Sequence, residues 1–267
     1  MPETLRLDDQ VAVITGSAVG IGRGLALVLA ARGADIAGLD VNESENQTTS
    51  RLVAELGREF IALDCDVADK AAVKQAITAV GEKFGRIDLL VNNAAVWDDS
   101  RLLAGDYDSQ TAEYERSMGT CAMGAYYCML ASLPYLLSTG GNVINIITEH
   151  IESAHHLKNM PALGYDCAKF ALWRQVASWA DELEDHNIRV NGLAFGATDT
   201  PMLRGAAGEA FAAKAMQPAD IGQALINVLA HGPDGPTGET WVFGVTRTPR
   251  EESLIAIEAI GPGGVSA

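Results

Sequence analysis

VAVITGSAVGIGRGLALVLAARGADIAGLD, residues 11–40, carries three elements in succession. VAVIT (11–15) is a short β-branched apolar run leading into glycine, the pattern of a buried strand. GRGLALVLAARG (22–33) has helical periodicity and stops at Gly33, and DIAGLD (35–40) is a second strand. The turn between the first strand and the helix is TGSAVGIG, with Gly16, Gly20 and Gly22. In a strand–turn–helix setting these glycines suit a pyrophosphate site. Gly16 permits a tight exit from the strand. Gly20 removes a side chain where phosphate oxygens would approach backbone N–H groups, and Gly22 allows close helix–sheet contact. Asp40 ends the second strand, eighteen residues after Gly22. A carboxylate there accepts both hydroxyls of an adenine ribose and repels a 2′-phosphate. No Arg or Lys stands at 17, 18, 19, 41 or 42 to offset that repulsion. The expected cofactor is therefore NAD rather than NADP; the plainer reading of Asp40 is a solvated strand end.

The same alternation continues outward. Strands are expected at 59–67, 88–94, 142–147, 188–196 and 240–244, with helices around 43–56, 71–85, 111–137, 167–186 and 219–230. Strands alternating with helices of this length predict an α/β doubly wound fold, with a mostly parallel sheet of seven strands covered on both faces. No Pro- or Ser-rich linker interrupts the pattern, so residues 1–246 are read as one dinucleotide-binding and catalytic domain. Residues 247–267 follow as a C-terminal tail.

Composition narrows the partners. The 267 residues are 48% hydrophobic, and 19 basic against 35 acidic side chains give a net charge of −16. Such a field disfavours nucleic acid and anionic membrane surfaces. The N-terminus MPETLRLDDQ has no basic region followed by an apolar run, and no uninterrupted apolar stretch approaches membrane-spanning length. Cys65, Cys121, Cys128 and Cys167 have no C-x-x-C spacing. Together these features predict a cytoplasmic chain with reduced thiols and no metal site.

YDCAK (165–169) puts a tyrosine and a lysine four residues apart on one helix face. Alone, the pair is either chemistry or two polar residues sharing a face. In company with the ordered motifs, the chain resembles the short-chain dehydrogenase/reductase family over about residues 9–246. TGSAVGIG is similar to the family's cofactor turn, which adds Ser17, Val19 and Ile21 to the expected cofactor contacts. Asp66 and Val67 resemble the pair that contacts adenine, and VNNAA (91–95) the motif in which Asn93 lines the cofactor cleft. NGLAFGATDTPM resembles the segment that holds the nicotinamide carboxamide, through Thr198 and Thr200. The resemblance makes Tyr165 the general acid/base on the substrate oxygen. It makes Lys169 the ligand of the nicotinamide ribose and the cation that lowers the phenol's pKa. Thr148 stands where the family has a serine after strand five, and is expected to hold the substrate oxygen.

The chain also departs from the family pattern. Cys121, in MGTCAMGAYY, occupies the place of the helix asparagine that holds a water linking the lysine to solvent. A thiol is a poor substitute for that amide. AFG (194–196) lacks the usual proline before glycine, and Phe243, Gly244 and Val245 replace the usual Asp-Gly-Gly ending. The connection EHIESAHHLKNMPALG (149–164) is a few residues long for the family and is expected to form pocket wall. His150, His155 and His156 within it read as loop histidines without a ligand. Phe195 and Trp97 suggest an aromatic-lined, apolar pocket. Trp173 and Trp179 read as core or interface residues.

The expected activity is hydride transfer between NAD(H) and a secondary alcohol or ketone, an aromatic or alicyclic alcohol or diol being candidates. The alternative is a dinucleotide-binding regulatory or structural protein of the same fold, with Cys121 as its first symptom. A small-molecule substrate and a homotetramer or homodimer, paired through helices 111–137 and 167–186, complete the expectations.

Overall fold

The computed structural model describes residues 5–98, 100–151 and 162–244. VAVIT becomes β1 (Val11–Thr15), buried at every position. A strand apolar on both faces must be covered on both, and β1 accordingly lies inside the sheet. It pairs in parallel with β2 (Asp35–Asp40) and β4 (Leu89–Asn92). β3 (Phe60–Asp64) pairs outside β2, while β5 (Asn142–Ile146), β6 (Arg189–Phe195) and β7 (Thr240–Phe243) extend beyond β4. The sheet has seven strands in the order β3-β2-β1-β4-β5-β6-β7, as the alternation predicted.

Period-two alternation sends successive β1 side chains to opposite layers. Ile14 joins Leu25 and Leu29 of α1 (Gly20–Ala31), Val53 of α2 (Glu43–Glu55) and Leu225 of α9 (Pro218–Leu229). Val13 joins Ile77 of α3 (Lys70–Phe84), Cys128 and Leu136 of α5 (Gly124–Thr139) and Leu172 of α6 (Leu163–Leu183). Local signals fix the helix ends. Asp69 accepts from Ala71 N at 2.7 Å and Ala72 N at 3.3 Å to start α3, and Gly85 ends it with φ 73°. Two short helices, α7 (Pro201–Ala207) and α8 (Glu209–Ala212), follow β6.

The helix expected at 111–137 is not one regular helix. α4 (Tyr107–Ser117) passes into a π-helical turn, Met118–Met123, before α5 begins. The small residues of that turn let Cys121 and Ala122 pack directly against Ala168 of α6. A widened turn of this kind leaves no hydrophobic-period signature in the sequence. By length and apolar content alone the run Tyr107–Thr139 could cross a membrane. One face of α5, with Cys128, Met129 and Leu136, packs into the core layer over the sheet.

Parallel register brings the carboxyl ends of the strands to one edge. Thr15 lies beside Leu39, Asp40 beside Asp64, and Asn92 beside Asn145. The chain order reverses between β1 and β4, which opens a crevice above the sheet at that edge.

Candidate active site

The crevice floor is the glycine turn. Gly16 has φ 67°, and a Cβ there would lie 2.9 Å from Ala94 Cα. A Cβ on Gly22 would lie 2.0 Å from the Gly16 carbonyl oxygen. Gly22 thus lets the turn close on itself, a tighter constraint than the helix–sheet contact expected of it. Asn93 clamps the turn from β4: its Nδ2 donates to the Thr15 and Gly16 carbonyls at 2.8 and 3.1 Å. Asp40 Oδ2 accepts from Ala18 N at 2.9 Å, which ties the end of β2 to the same turn.

Above the turn lies a cavity of about 660 Å³. Its wall includes Gly16, Val19, Gly20, Ile21, Gly22 and Asp40 at one end, and Thr148, Tyr165 and Lys169 at the other. Asn93, Trp97, Phe195, Thr198 and Thr200 also line it. Three expected cofactor residues do not. Ser17 is fully buried and donates its hydroxyl to Asn46 Oδ1 at 2.8 Å, so its side chain braces α2. Val67 is spent on core packing, and Asp66 accepts from Ala68 N at 2.9 Å to shape its own turn. Phe195 has a double role: it lines the cavity, but its ring packs on Phe243 in the core with centroids 5.5 Å apart.

Tyr165 and Lys169 come together as their spacing implies, with the ammonium 5.6 Å from the phenol ring centroid. Lys169 is 2% exposed and its Nζ donates to the Ile146 carbonyl at 2.6 Å. Thr148 lines the same stretch of cavity wall as Tyr165. Burial raises the pKa of Tyr165; the Cys121 thiol and the Asp166 carboxylate push the same way, against a lowering by Thr148. Burial likewise pushes Lys169 down. The lowering of the phenol expected from Lys169 is not the dominant influence, because the same desolvation that lifts the tyrosine weakens the lysine as a cation. The free site holds Tyr165 as a protonated acid.

Tyr165 sits in the first turn of α6, and the start of that helix is held from outside. Asp98, buried in the segment after β4, accepts from the Tyr165 backbone N–H, and from Ser117 Oγ at 3.0 Å. Burial alone would raise Asp98; the bonds from Ser100, Tyr165 and Ser117 outweigh it and hold the carboxyl low. A charged cap at a helix N-terminus fixes the backbone from which Tyr165 projects. On the opposite side Trp97 stacks at a tilt on Tyr165, centroids 5.1 Å apart.

His150, read from the sequence as a loop histidine without a ligand, stands close to Tyr165. It lines the cavity from the short 3₁₀ turn Glu149–Ile151, beside a buried Glu149. Its Nδ1 lies 2.6 Å from Asp166 Oδ1, and its ring stands edge-on to Tyr165 at 6.3 Å. The available signal was adjacency, since His150 follows Thr148 by two residues and Asp166 follows Tyr165 by one. His155 and His156 lie outside the described residues. Among the described residues no group of three His, Cys, Asp or Glu side chains converges as a metal site. All four cysteines are free, and burial pushes Cys121 up, which keeps it a thiol.

A family model described as enoyl-(acyl carrier protein) reductase matches residues 16–240. The chain belongs to the short-chain dehydrogenase/reductase family. Among its relatives in that family, a trans-4-hydroxycyclohexanecarboxylate dehydrogenase of Sinomonas cyclohexanicum is 33% identical over 206 residues, 75% of this chain and 76% of the relative. The 7α-hydroxysteroid dehydrogenase of Escherichia coli K12 is 30% identical over 202 residues, 76% of each. A solved 7α-hydroxysteroid dehydrogenase with NADH and 7-oxoglycochenodeoxycholic acid is 25% identical, with a TM-score of 0.80 over 91% of this chain and 97% of that one. The short-chain dehydrogenase/reductase relatives are oxidoreductases of alcohols and ketones, and enzymatic activity of this chain follows from that kinship.

Proposed function

We propose that the chain is an NAD-dependent oxidoreductase of secondary alcohols and ketones, with Tyr165 as general acid/base. The observation that carries the reading is that Thr148, Tyr165 and Lys169 line the same cavity as the glycine turn and Asp40. The dinucleotide fits that cavity: the turn is closed by glycines that tolerate no Cβ, and Asp40 stands where a ribose would lie. When bound, the nicotinamide supplies or accepts the hydride. The Gly16–Gly22 turn would hold the pyrophosphate, Asp40 the adenine ribose, Asn93 the cleft wall, Lys169 the nicotinamide ribose, and Thr198 with Thr200 the carboxamide. Thr148 and Tyr165 hold the substrate oxygen between them, and Tyr165 gives or takes its proton. Trp97, Phe195, Met202, Leu203 and Phe211 line an apolar enclosure that suits an alicyclic or aromatic carbon skeleton. A panel of such alcohols, assayed with NAD for NADH absorbance, tests the reading.

Cofactor preference has its own test. Arg23, the cation nearest the turn in sequence, is bound to Glu45 at 2.6 Å, and Val41 beside Asp40 is an exposed apolar side chain. Calorimetry is expected to find NAD bound well ahead of NADP. Asp40→Ala should narrow that gap roughly tenfold or more, the scale of a lost charge-assisted hydrogen bond. An unchanged preference would remove Asp40 from the ribose site.

Association follows from surface chemistry. Tyr126, Leu130 and Leu137 of α5 and Phe170 and Trp173 of α6 are each at least 40% exposed, whereas Trp179 is buried. Their faces would pair as a homodimer within a homotetramer. Sedimentation at low micromolar concentration should find no monomer; a monomer there would refute the pairing. The tail at 247–267, a candidate for a second interface, lies outside the described residues.

A further inference from the structure

We propose that His150, oriented by Asp166, binds a second oxygen of the substrate, and that the substrate class is a vicinal diol or α-hydroxy ketone rather than a simple secondary alcohol. This rests on the oxidoreductase reading above.

A carboxylate only accepts, so Asp166 draws the proton of a neutral imidazole to Nδ1, 2.6 Å away. Nε2 is then the nitrogen left for a ligand: it accepts from a hydroxyl in the neutral ring and donates to one in the charged ring. The ring is held in place rather than free: its side chain is 10% exposed, and the backbone N–H of His150 reaches Thr148 Oγ1 at 3.4 Å. Imidazole and substrate-oxygen ligand therefore share one turn. The imidazole also stands 6.3 Å from the Tyr165 ring, edge-on.

That placement selects where a second polar group can be. The reacting oxygen lies at Thr148 and Tyr165. A hydroxyl on the neighbouring carbon comes to the wall beside them, where His150 is. The cavity wall also includes Met202, Leu203 and Phe211, whose side chains offer a polar group no partner of comparable strength. A substrate with one oxygen leaves Nε2 of that ring without the partner a second hydroxyl supplies. Sites built around a buried hydrogen-bonding group discriminate strongly against ligands that lack its partner.

The test compares trans-1,2-cyclohexanediol with cyclohexanol, in the full-length enzyme with NAD. The wild type should favour the diol in kcat/KM. His150→Phe should lower the diol-to-cyclohexanol ratio by roughly tenfold to a hundredfold, the range for stranding one buried polar group. Asp166→Asn should lower it less, and His150→Gln should restore part of it. An unchanged ratio in His150→Phe would overturn the subsite while leaving the oxidoreductase reading intact. Turnover of neither alcohol by the wild type would count against the oxidoreductase reading. Calorimetry on Tyr165→Phe with NAD then judges the subsite separately: diol bound no better than cyclohexanol, or not at all, overturns it.

Discussion

Tyr165→Phe is expected to lower turnover by about 10²–10⁴-fold, equivalent to about 3–5 kcal/mol of transition-state stabilisation, with NAD affinity little changed. Only the phenolic oxygen is removed. The ring that stacks on Trp97 and the backbone N–H that Asp98 accepts from both remain, so the helix start and the cavity shape persist. Steady-state kinetics and a cofactor titration on the same preparation check the two halves. The pH dependence has a determined sign. Burial raises the phenol's pKa, so Tyr165 is protonated through neutral pH. Alcohol oxidation needs the deprotonated base and should accelerate as pH rises below that raised pKa; ketone reduction needs the acid and should stay level there, slowing only as pH passes it. A Phe variant with normal turnover would place the proton transfer elsewhere.

Lys169→Met should cost about 10²–10³-fold in kcat/KM, the scale of removing one electrostatic contact to the reacting groups, and should also weaken NAD binding. Stability should move the other way or not at all. Lys169 is 2% exposed, and its Nζ donates to a backbone carbonyl, Ile146 O at 2.6 Å. Burial disfavours its charge, as its lowered pKa records, and methionine fills similar volume without that penalty. A melting temperature held or raised, alongside lost activity, is the expected pair of results. A large drop in melting temperature would make Lys169 a structural residue first.

The layers of this fold were legible because they follow from periodicity. VAVIT had to be buried on both faces, and the alternation of short apolar runs with longer amphipathic stretches predicted the seven parallel strands that the sheet contains. Strand and helix ends shifted by a few residues, since ends are set by individual caps such as Asp69 rather than by period. The π-turn at Met118–Met123 was invisible: it leaves no period in the sequence, and the contact of its Cys121 and Ala122 with Ala168 joins residues far apart in the chain.

The site divides in the same way. The glycine turn, Asp40, and the Tyr165–Lys169 pair are local patterns, and the strand register brings them to one cavity. Ser17 was read as part of the turn, but its hydroxyl answers to Asn46 on α2, a partner that sequence spacing does not reveal. Asp98 escaped notice because a cap supplied from another segment has no spacing rule. His150 was set aside as a loop histidine; its pairing with Asp166 joins a 3₁₀ turn to α6 and has no spacing rule. Long-range pairing is what the sequence conceals, and it is where the site is completed.

The most direct measurement incubates the enzyme and NAD with alicyclic and aromatic secondary alcohols and diols, and follows NADH by absorbance beside the Tyr165→Phe variant. Hydride transfer catalysed at Tyr165 predicts NADH formation with members of this panel, little with NADP in place of NAD, and near-complete loss in the variant. No reduced cofactor from any of these alcohols, or undiminished formation in Tyr165→Phe, would contradict it.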